Sequence, residues 1–266
     1  MEFRTTVQIT KPSFTIEPCE RMLFVGSCFA DRIGLRFKEE RFPVEVNPRG
    51  VMYNPASILH TIDSIETCPS TVVLTLGTNH VYIEKATGEI VDNCQKRPQK
   101  LFEERKLTVE ECVEYLRKSI KLLRQNNPEV KIVLTVSPIR YAKYGFHGSQ
   151  LSKATLLLAV DLVANGDDKI YYFPAYEIVN DELRDYRFYA PDMLHPSDQT
   201  VEYIWEKLVE TCFSKEAKAY LDEWKPVKEA LNHRPFNPDS EEYKTFMKKT
   251  QDKLSRISEK YPNFVG

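Results

Sequence analysis

No stretch of the chain approaches the roughly eighteen consecutive apolar residues that a membrane-crossing helix requires, so a helical membrane span is not expected. The opening residues Met1-Glu2-Phe3-Arg4-Thr5-Thr6-Val7 carry no apolar core of an export signal, and the expected compartment is therefore the cytoplasm. Basic arms and Lys/Arg stripes are missing too. With a net charge of −2, nucleic acid is not an expected partner. The six cysteines (Cys19, Cys28, Cys68, Cys94, Cys112, Cys212) include no C-x-x-C pair, which argues against a zinc knuckle or a thioredoxin-like redox site. They are expected as free thiols in a reducing compartment. His60, His80, His147 and His233 show no metal-ligand spacing, and no nucleotide or flavin motif is present. No metal and no cofactor are expected. Internal repeats, low-complexity tracts and obvious linkers are likewise absent.

What the 266 residues do contain is an ordinary globular composition, 42% apolar and 29% charged, enough to bury one large core. Short apolar runs alternate with helical patterns, which predicts a parallel sheet covered by helices on both faces. The expected strands are Met22–Val25, Val44–Val46, Thr71–Leu76, Lys131–Val136 and Lys169–Phe173. They are nearly continuous hydrophobic runs, the pattern of strands buried on both faces. Helices are expected at about Ala30–Glu39, Pro55–Ser64, Thr108–Gln125, Ser152–Ala164 and Ser197–Phe213. Asn54 before Pro55 is a start signal, and Thr108 with Glu111 makes a capping box. Val81–Val91 is expected to form a hairpin turning near Ala86-Thr87-Gly88, a flap beside the sheet. The last fifty or so residues mix both charges with scattered aromatic residues, and prolines including Pro226 are expected to break them into short helices on the outside.

Four segments carry candidate chemistry. Gly26-Ser27-Cys28-Phe29-Ala30 joins a buried strand to a helix, where unpaired N–H groups and positive potential favour an oxyanion or thiolate. Asn47-Pro48-Arg49-Gly50 follows the second strand, and Gly50 is a candidate backbone donor to an oxyanion, though an ordinary loop is the plainer reading. Gly77-Thr78-Asn79 closes the strongest strand, with Asn79 placed to donate to an oxyanion at the carboxyl edge of the sheet. Asp192-Met193-Leu194-His195 sets a carboxylate one helical turn before an imidazole, so that Asp192 can orient His195 as a general base. Singly, each of these is weak. His60 is read as structural, His80 as a rim residue, and His147 as part of a mobile loop near the site.

Taken in chain order, the four blocks resemble those of the SGNH (GDSL-like) hydrolases. The string Gly26-Ser27-Cys28-Phe29-Ala30 resembles the signature of the GSCFA family, which stands beside that superfamily. Supporting segments are Tyr53-Asn54-Pro55-Ala56-Ser57, Thr75–Thr78, Asn93-Cys94, Ser137-Pro138, Ser152-Lys153 and Leu183–Ala190. The resemblance covers roughly residues 20 to 215, with the C-terminal remainder outside it. It implies a three-layer α/β/α domain with a flavodoxin-like parallel sheet of the SGNH type over residues 1–215, and a helical extension over 216–266 packed on the same domain. It also implies an esterase or deacylase acting on a carbohydrate-like or small acyl ester. Where the family pattern often has a histidine after Asn93-Cys94, this chain has Gln95.

The superfamily motif places its nucleophile two residues after the glycine. Laid without a gap on Gly26-Ser27-Cys28-Phe29, that register falls on Cys28, with Phe29 matching the next apolar position. Cys28 is therefore favoured over Ser27, which stays the runner-up. A free thiol titrates near about 8.5 and is made more acidic by a helix N-terminus or an imidazolium. The expected set is Cys28 or Ser27 as nucleophile, His195 as base, Asp192 orienting it, and Gly50 and Asn79 at the oxyanion. An acyltransferase with the same residues, or a non-catalytic carbohydrate-binding protein that keeps the pocket, are the alternatives. Oligomeric state is not legible.

Overall fold

The computed structural model describes residues 4–92, 94 and 97–266. Asn93 and Gln95, both singled out from the sequence, lie outside the described residues. Five parallel strands form the central sheet: β1 (Met22–Gly26), β2 (Val44–Val46), β3 (Thr71–Leu76), β7 (Lys131–Val136) and β8 (Ile170–Tyr172). Their spatial order is β2-β1-β3-β7-β8. Renumbered within that sheet this is 2-1-3-4-5, the flavodoxin-like doubly wound order, whose crevice opens where β1 and β3 send their connections to opposite faces.

Alternation along the strands feeds two cores. Met22, Phe24, Val73 and Val133 point to one face, against α1 (Cys28–Glu39), α6 (Asp198–Cys212), α7 (Lys215–Asn232) and α8 (Glu241–Lys260). Leu23, Val25, Leu74 and Leu134 point to the other, against α2 (Pro55–Asp63), α3 (Val109–Asn126) and α4 (Gly145–Ala164). The result is the three-layer α/β/α domain expected from the sequence. The start signals hold: Asn54 Oδ1 accepts from the Ser57 N–H at 2.9 Å, and Thr108 with Glu111 forms the full capping box.

A second, antiparallel sheet is less obvious from the sequence. It contains β4 (His80–Glu84), β5 (Ile90–Val91) and β6 (Phe102–Lys106), with β4 in the centre. The hairpin β4–β5 is the expected flap, and β6 pairs along the whole of β4, from His80 opposite Lys106 to Glu84 opposite Phe102. After β8 a short helix α5 (Ala175–Glu177) runs into a wide helical turn over Ile178–Leu183.

Two expectations are corrected. His147 is not in a mobile loop: it lies in the first turn of α4, which begins at Gly145. Pro226 does not break the C-terminal region, because α7 runs through it. The lost backbone bond is offset by the helix face around it, where Tyr220, Trp224 and Val227 are buried. α7 grips the end of α1, and α8 packs on α7. The Tyr220 hydroxyl donates to Glu40 O at 2.6 Å, Trp224 Nε1 donates to Glu39 O at 3.2 Å, and Phe264 packs edge-on to Trp224.

Candidate functional site

β1 ends in Gly26 at φ +143°, and a Cβ there would lie 2.1 Å from the Thr75 carbonyl oxygen of β3. Only glycine allows so close an approach of the two strands. The Gly26 N–H donates to Asn47 Oδ1 at 2.8 Å, the Ser27 N–H donates to Thr75 O at 3.0 Å, and α1 begins immediately. Ser27 is fully buried as the N-cap of α1. Its Oγ accepts from the Phe29 N–H at 3.3 Å and stands 3.0 Å from Thr75 Oγ1. Cys28, by contrast, is half-buried at the first helical position, with Sγ 3.8 Å from Tyr53 Oη. A thiol there sits among helix amides without intrahelical acceptors, at the positive end of the helix dipole.

Tyr53 is fixed across the crevice by its own backbone. The Met52 N–H donates to Gly26 O, and the Gly77 and Thr78 N–H groups both donate to Tyr53 O, at 2.8, 2.9 and 2.8 Å. Burial, and then the neighbouring Cys28, push the Tyr53 phenol up to about 12, so it remains a neutral O–H donor.

Asp192 and His195 meet as the sequence predicts: Asp192 Oδ2 is 2.6 Å from His195 Nδ1. Asp192 Oδ1 accepts from the N–H groups of His195 and Leu194 at 3.0 and 2.9 Å. These backbone bonds, with the imidazole contact, hold the Asp192 carboxyl down to about 2. With Nδ1 facing the carboxylate, Nε2 is the nitrogen left for chemistry. The segment is strapped to the carboxyl edge of the sheet by Arg140, just beyond β7. Its N–H donates to Leu194 O at 3.0 Å and its guanidinium to Met193 O at 2.8 Å. An Arg32–Asp198 ion pair then ties α1, one turn past Cys28, to the start of α6. Among the described residues no hydrogen bond joins Cys28 to His195.

The two expected oxyanion donors, Gly50 and Asn79, each make a local hydrogen bond. The Gly50 N–H closes a turn on Asn47 O at 2.7 Å, at an exposed position. Asn79 is buried, and its amide nitrogen donates to Leu107 O at 2.7 Å, just after β6. Each of these amides thus has a hydrogen-bond partner in its own backbone surroundings.

Sequence reasoning missed two groups at this edge. Lys153 of α4 is completely buried, and its Nζ donates to Gly77 O at 2.7 Å and Ser137 O at 2.6 Å, tying together the turns after β3 and β7. Burial pushes this amine down to about 7. Tyr141 places its hydroxyl where a Cβ on Gly77 would come within 2.3 Å, so glycine is needed there as well. Next to Tyr53 and Tyr141 opens a cavity of about 670 Å³, bounded on the far side by the antiparallel sheet and lined also by His80, Tyr82, Phe102 and Tyr144. His80 is therefore a buried wall residue rather than a rim residue. Among the described residues no cluster of three or more His, Cys, Asp or Glu side chains is arranged to hold a metal.

Comparison with known proteins adds the following. No curated protein matches the chain significantly. Among solved structures, a Streptococcus pneumonia protein provisionally assigned as a platelet activating factor is 17% identical, over 74% of this chain and 85% of that one, with a TM-score of 0.49. A carbohydrate esterase family 3 protein from Talaromyces cellulolyticus is 12% identical, over 76% and 98%, with a TM-score of 0.45. A catalytic mutant of an acetylxylan esterase from Geobacillus stearothermophilus is 15% identical, over 76% and 98%, with a TM-score of 0.47. Likeness at this level carries no argument about chemistry. The GSCFA family model matches residues 21–68 and 67–208, and the model of the C-terminal domain of GSCFA domain proteins matches residues 224–265. The family thus extends into the C-terminal helices, beyond the limit near residue 215 suggested by the motifs. On these matches, which span most of its length, the chain belongs to the GSCFA family.

Proposed function

We propose that the protein is an acyl-ester hydrolase that works through Cys28, His195 and Asp192. The observation that carries this reading is the division of labour at the end of β1. Ser27 is buried and occupied as a helix cap, while the adjacent Cys28 presents a half-buried thiol on the same helix N-terminus. The Asp192–His195 pair, strapped to the same edge of the sheet, supplies an oriented imidazole.

In this mechanism His195 Nε2 takes the thiol proton and the sulfur of Cys28 attacks the ester carbonyl carbon. The resulting oxyanion is held by the Cys28 N–H and the Tyr53 hydroxyl, which replace the donors first assigned to Gly50 and Asn79. The C–O bond then breaks, with the proton on His195 passing to the departing alkoxide, and a thioester remains on Cys28. Water, deprotonated by His195, attacks that thioester and releases the acid and the free thiol. Asp192 holds one imidazole tautomer throughout. The cavity beside Tyr53 also offers room for an acceptor alcohol, which would make the second step acyl transfer.

The test is p-nitrophenyl acetate turnover by wild type, Cys28→Ala, Ser27→Ala and His195→Ala. Wild type is expected to give a burst followed by steady release. Cys28→Ala should lose both, and His195→Ala should fall by about 10²–10⁴-fold. A burst without turnover, relieved by an added alcohol, would select transfer over hydrolysis. Full activity in Cys28→Ala would rule the thiol out.

A further inference from the structure

The first turns of α4 meet the carboxyl edge of the main sheet with a buried polar face. Ser149, Ser152 and Lys153 share one side of the helix, and all three are buried. Each reaches main-chain groups just beyond β3 or β7. Ser149 Oγ accepts from the Tyr141 N–H at 3.2 Å, and Ser152 Oγ accepts from the Asn79 N–H at 2.9 Å and stands 3.0 Å from Thr78 Oγ1. Lys153 Nζ donates to Gly77 O and Ser137 O, at 2.7 and 2.6 Å.

The Lys153 amine sits where the ladder between β3 and β7 ends. That ladder pairs Leu76 with Val136, and the Ser137 N–H then donates to Leu76 O at 2.8 Å. Gly77 O and Ser137 O are the next carbonyls along the two chains. One amine donating to both holds the chains together after the sheet has stopped doing so. On the β3 side, the Gly77 and Thr78 N–H groups hold Tyr53 O, and Tyr53 Oη is 3.8 Å from Cys28 Sγ. On the β7 side, Arg140 holds the carbonyls of Met193 and Leu194, and with them the segment that carries His195. Phe146 of α4 lies over the Arg140 guanidinium, 4.1 Å from its ring centre. Among the described residues, Lys153 is the one side chain that hydrogen-bonds to both turns.

Burying an amine is costly, and burial pushes this one down to about 7. A methionine would fill similar space without that cost, so stability alone does not call for lysine here. What the amine adds is two N–H donors from one point. The neutral form has two and the ammonium three, so both acceptors are served in either form.

We infer that Lys153 is a positioning residue for the reaction, whose amine fixes the turns after β3 and β7 and so sets the Tyr53 hydroxyl and the His195 imidazole against Cys28. This role rests on the hydrolase reading above, and Lys153 itself takes part in no bond-making step.

Wild type, Lys153→Met, Tyr53→Phe and the double variant test it, each assayed below its melting temperature. The readouts are p-nitrophenyl acetate kinetics and the pH profile of Cys28 alkylation by iodoacetamide, followed by peptide mass spectrometry. Lys153→Met should lower kcat about 10²-fold and leave KM within about twofold, the signature of lost alignment rather than lost binding. Its alkylation profile should move to higher pH, as in Tyr53→Phe, because a displaced hydroxyl no longer donates to the thiolate. The double variant should be no slower than Lys153→Met alone, since a displaced Tyr53 has nothing further to lose. Ser152→Ala, which keeps the amine and frees the Asn79 N–H, should give a smaller loss of the same kind, again without multiplying that of Tyr53→Phe. It carries the test if Lys153→Met does not fold. An unchanged kcat, an unmoved alkylation profile, or losses that multiply in the double variants would each overturn the inference. The two readings fail separately. Ester turnover by wild type together with any of those results leaves the hydrolase and removes the role of Lys153. A wild type inert toward esters, whose alkylation profile still shifts in Lys153→Met, removes the hydrolase and keeps Lys153 as the group that sets Tyr53 against the thiol.

Discussion

Ser27 and Cys28 are neighbours on one turn, but α1 uses them differently. Ser27 Oγ caps the helix and touches Thr75 inside the core, so Ser27→Ala removes a cap and leaves Thr75 Oγ1 short of a partner. The expected cost is about 1–2 kcal/mol, read as a melting temperature lower by a few degrees. Iodoacetamide should still alkylate Cys28 in that variant at the wild-type rate. A stable Ser27→Ala protein that has lost its ester turnover would instead make Ser27 the reacting group. Asp192 sets a limit on pH effects at the same scale. Its carboxyl is depressed to about 2 in the folded protein, against about 3.9 unfolded. The contact with His195 therefore contributes fully above the unfolded value and is lost as pH falls through about 2. A fall of activity between pH 5 and 7 would have to come from another group.

At the scale of elements, what was legible followed from burial on two faces. β1, β3 and β7 are continuous apolar runs and stand where the sequence puts them. β6, Phe102-Glu103-Glu104-Arg105-Lys106, was missed because four of its five residues are charged. Its pairing is specified by β4 rather than by its own pattern. The start of α4 was hidden by Gly145 and Gly148. The Cys28 turn and the Asp192–His195 pair were legible because each is local in sequence. The cavity was not: Tyr53, His80, Glu104 and Tyr141 come from four separate segments, and only the packed fold brings them to one cavity. Lys153 belongs to this non-local class, since its two acceptors, Gly77 O and Ser137 O, sit on different turns. Its folded-state value of about 7 lies below the unfolded value of about 10.4, so between them the unfolded chain binds more protons. Stability is expected to rise with pH across that window and to be flat below it. Melting temperatures of wild type and Lys153→Met from pH 6 to 9 check this: the wild-type rise should disappear in the variant. A rise of equal slope in both would assign it to another group.

At the scale of the whole molecule, the question is whether α7 and α8 form a unit of their own or complete the main one. They match a separate family model, from residue 224 onward. Their buried side chains nonetheless share one core cluster with β1, α1 and α6: Tyr220, Trp224, Val227 and Ile257 lie in the same continuous set as Phe24, Phe37 and Trp205. Trp224 is 1% exposed, packs against Phe264 and Arg41, and donates to the last carbonyl of α1, that of Glu39. A helix pair that closes the core in this way should not unfold first. Trp224→Ala is therefore expected to destabilise the entire chain by about 3–5 kcal/mol, the cost of emptying a buried tryptophan site. Its urea unfolding, followed by far-ultraviolet circular dichroism and by fluorescence of the remaining Trp205, should stay a single transition with coincident midpoints. Trp205 sits in the central part of the cluster, against Phe37 and Phe213, and so reports on the main domain. A variant in which helical signal is lost early while Trp205 fluorescence keeps the wild-type midpoint would show the opposite: an extension that docks on a domain already complete without it.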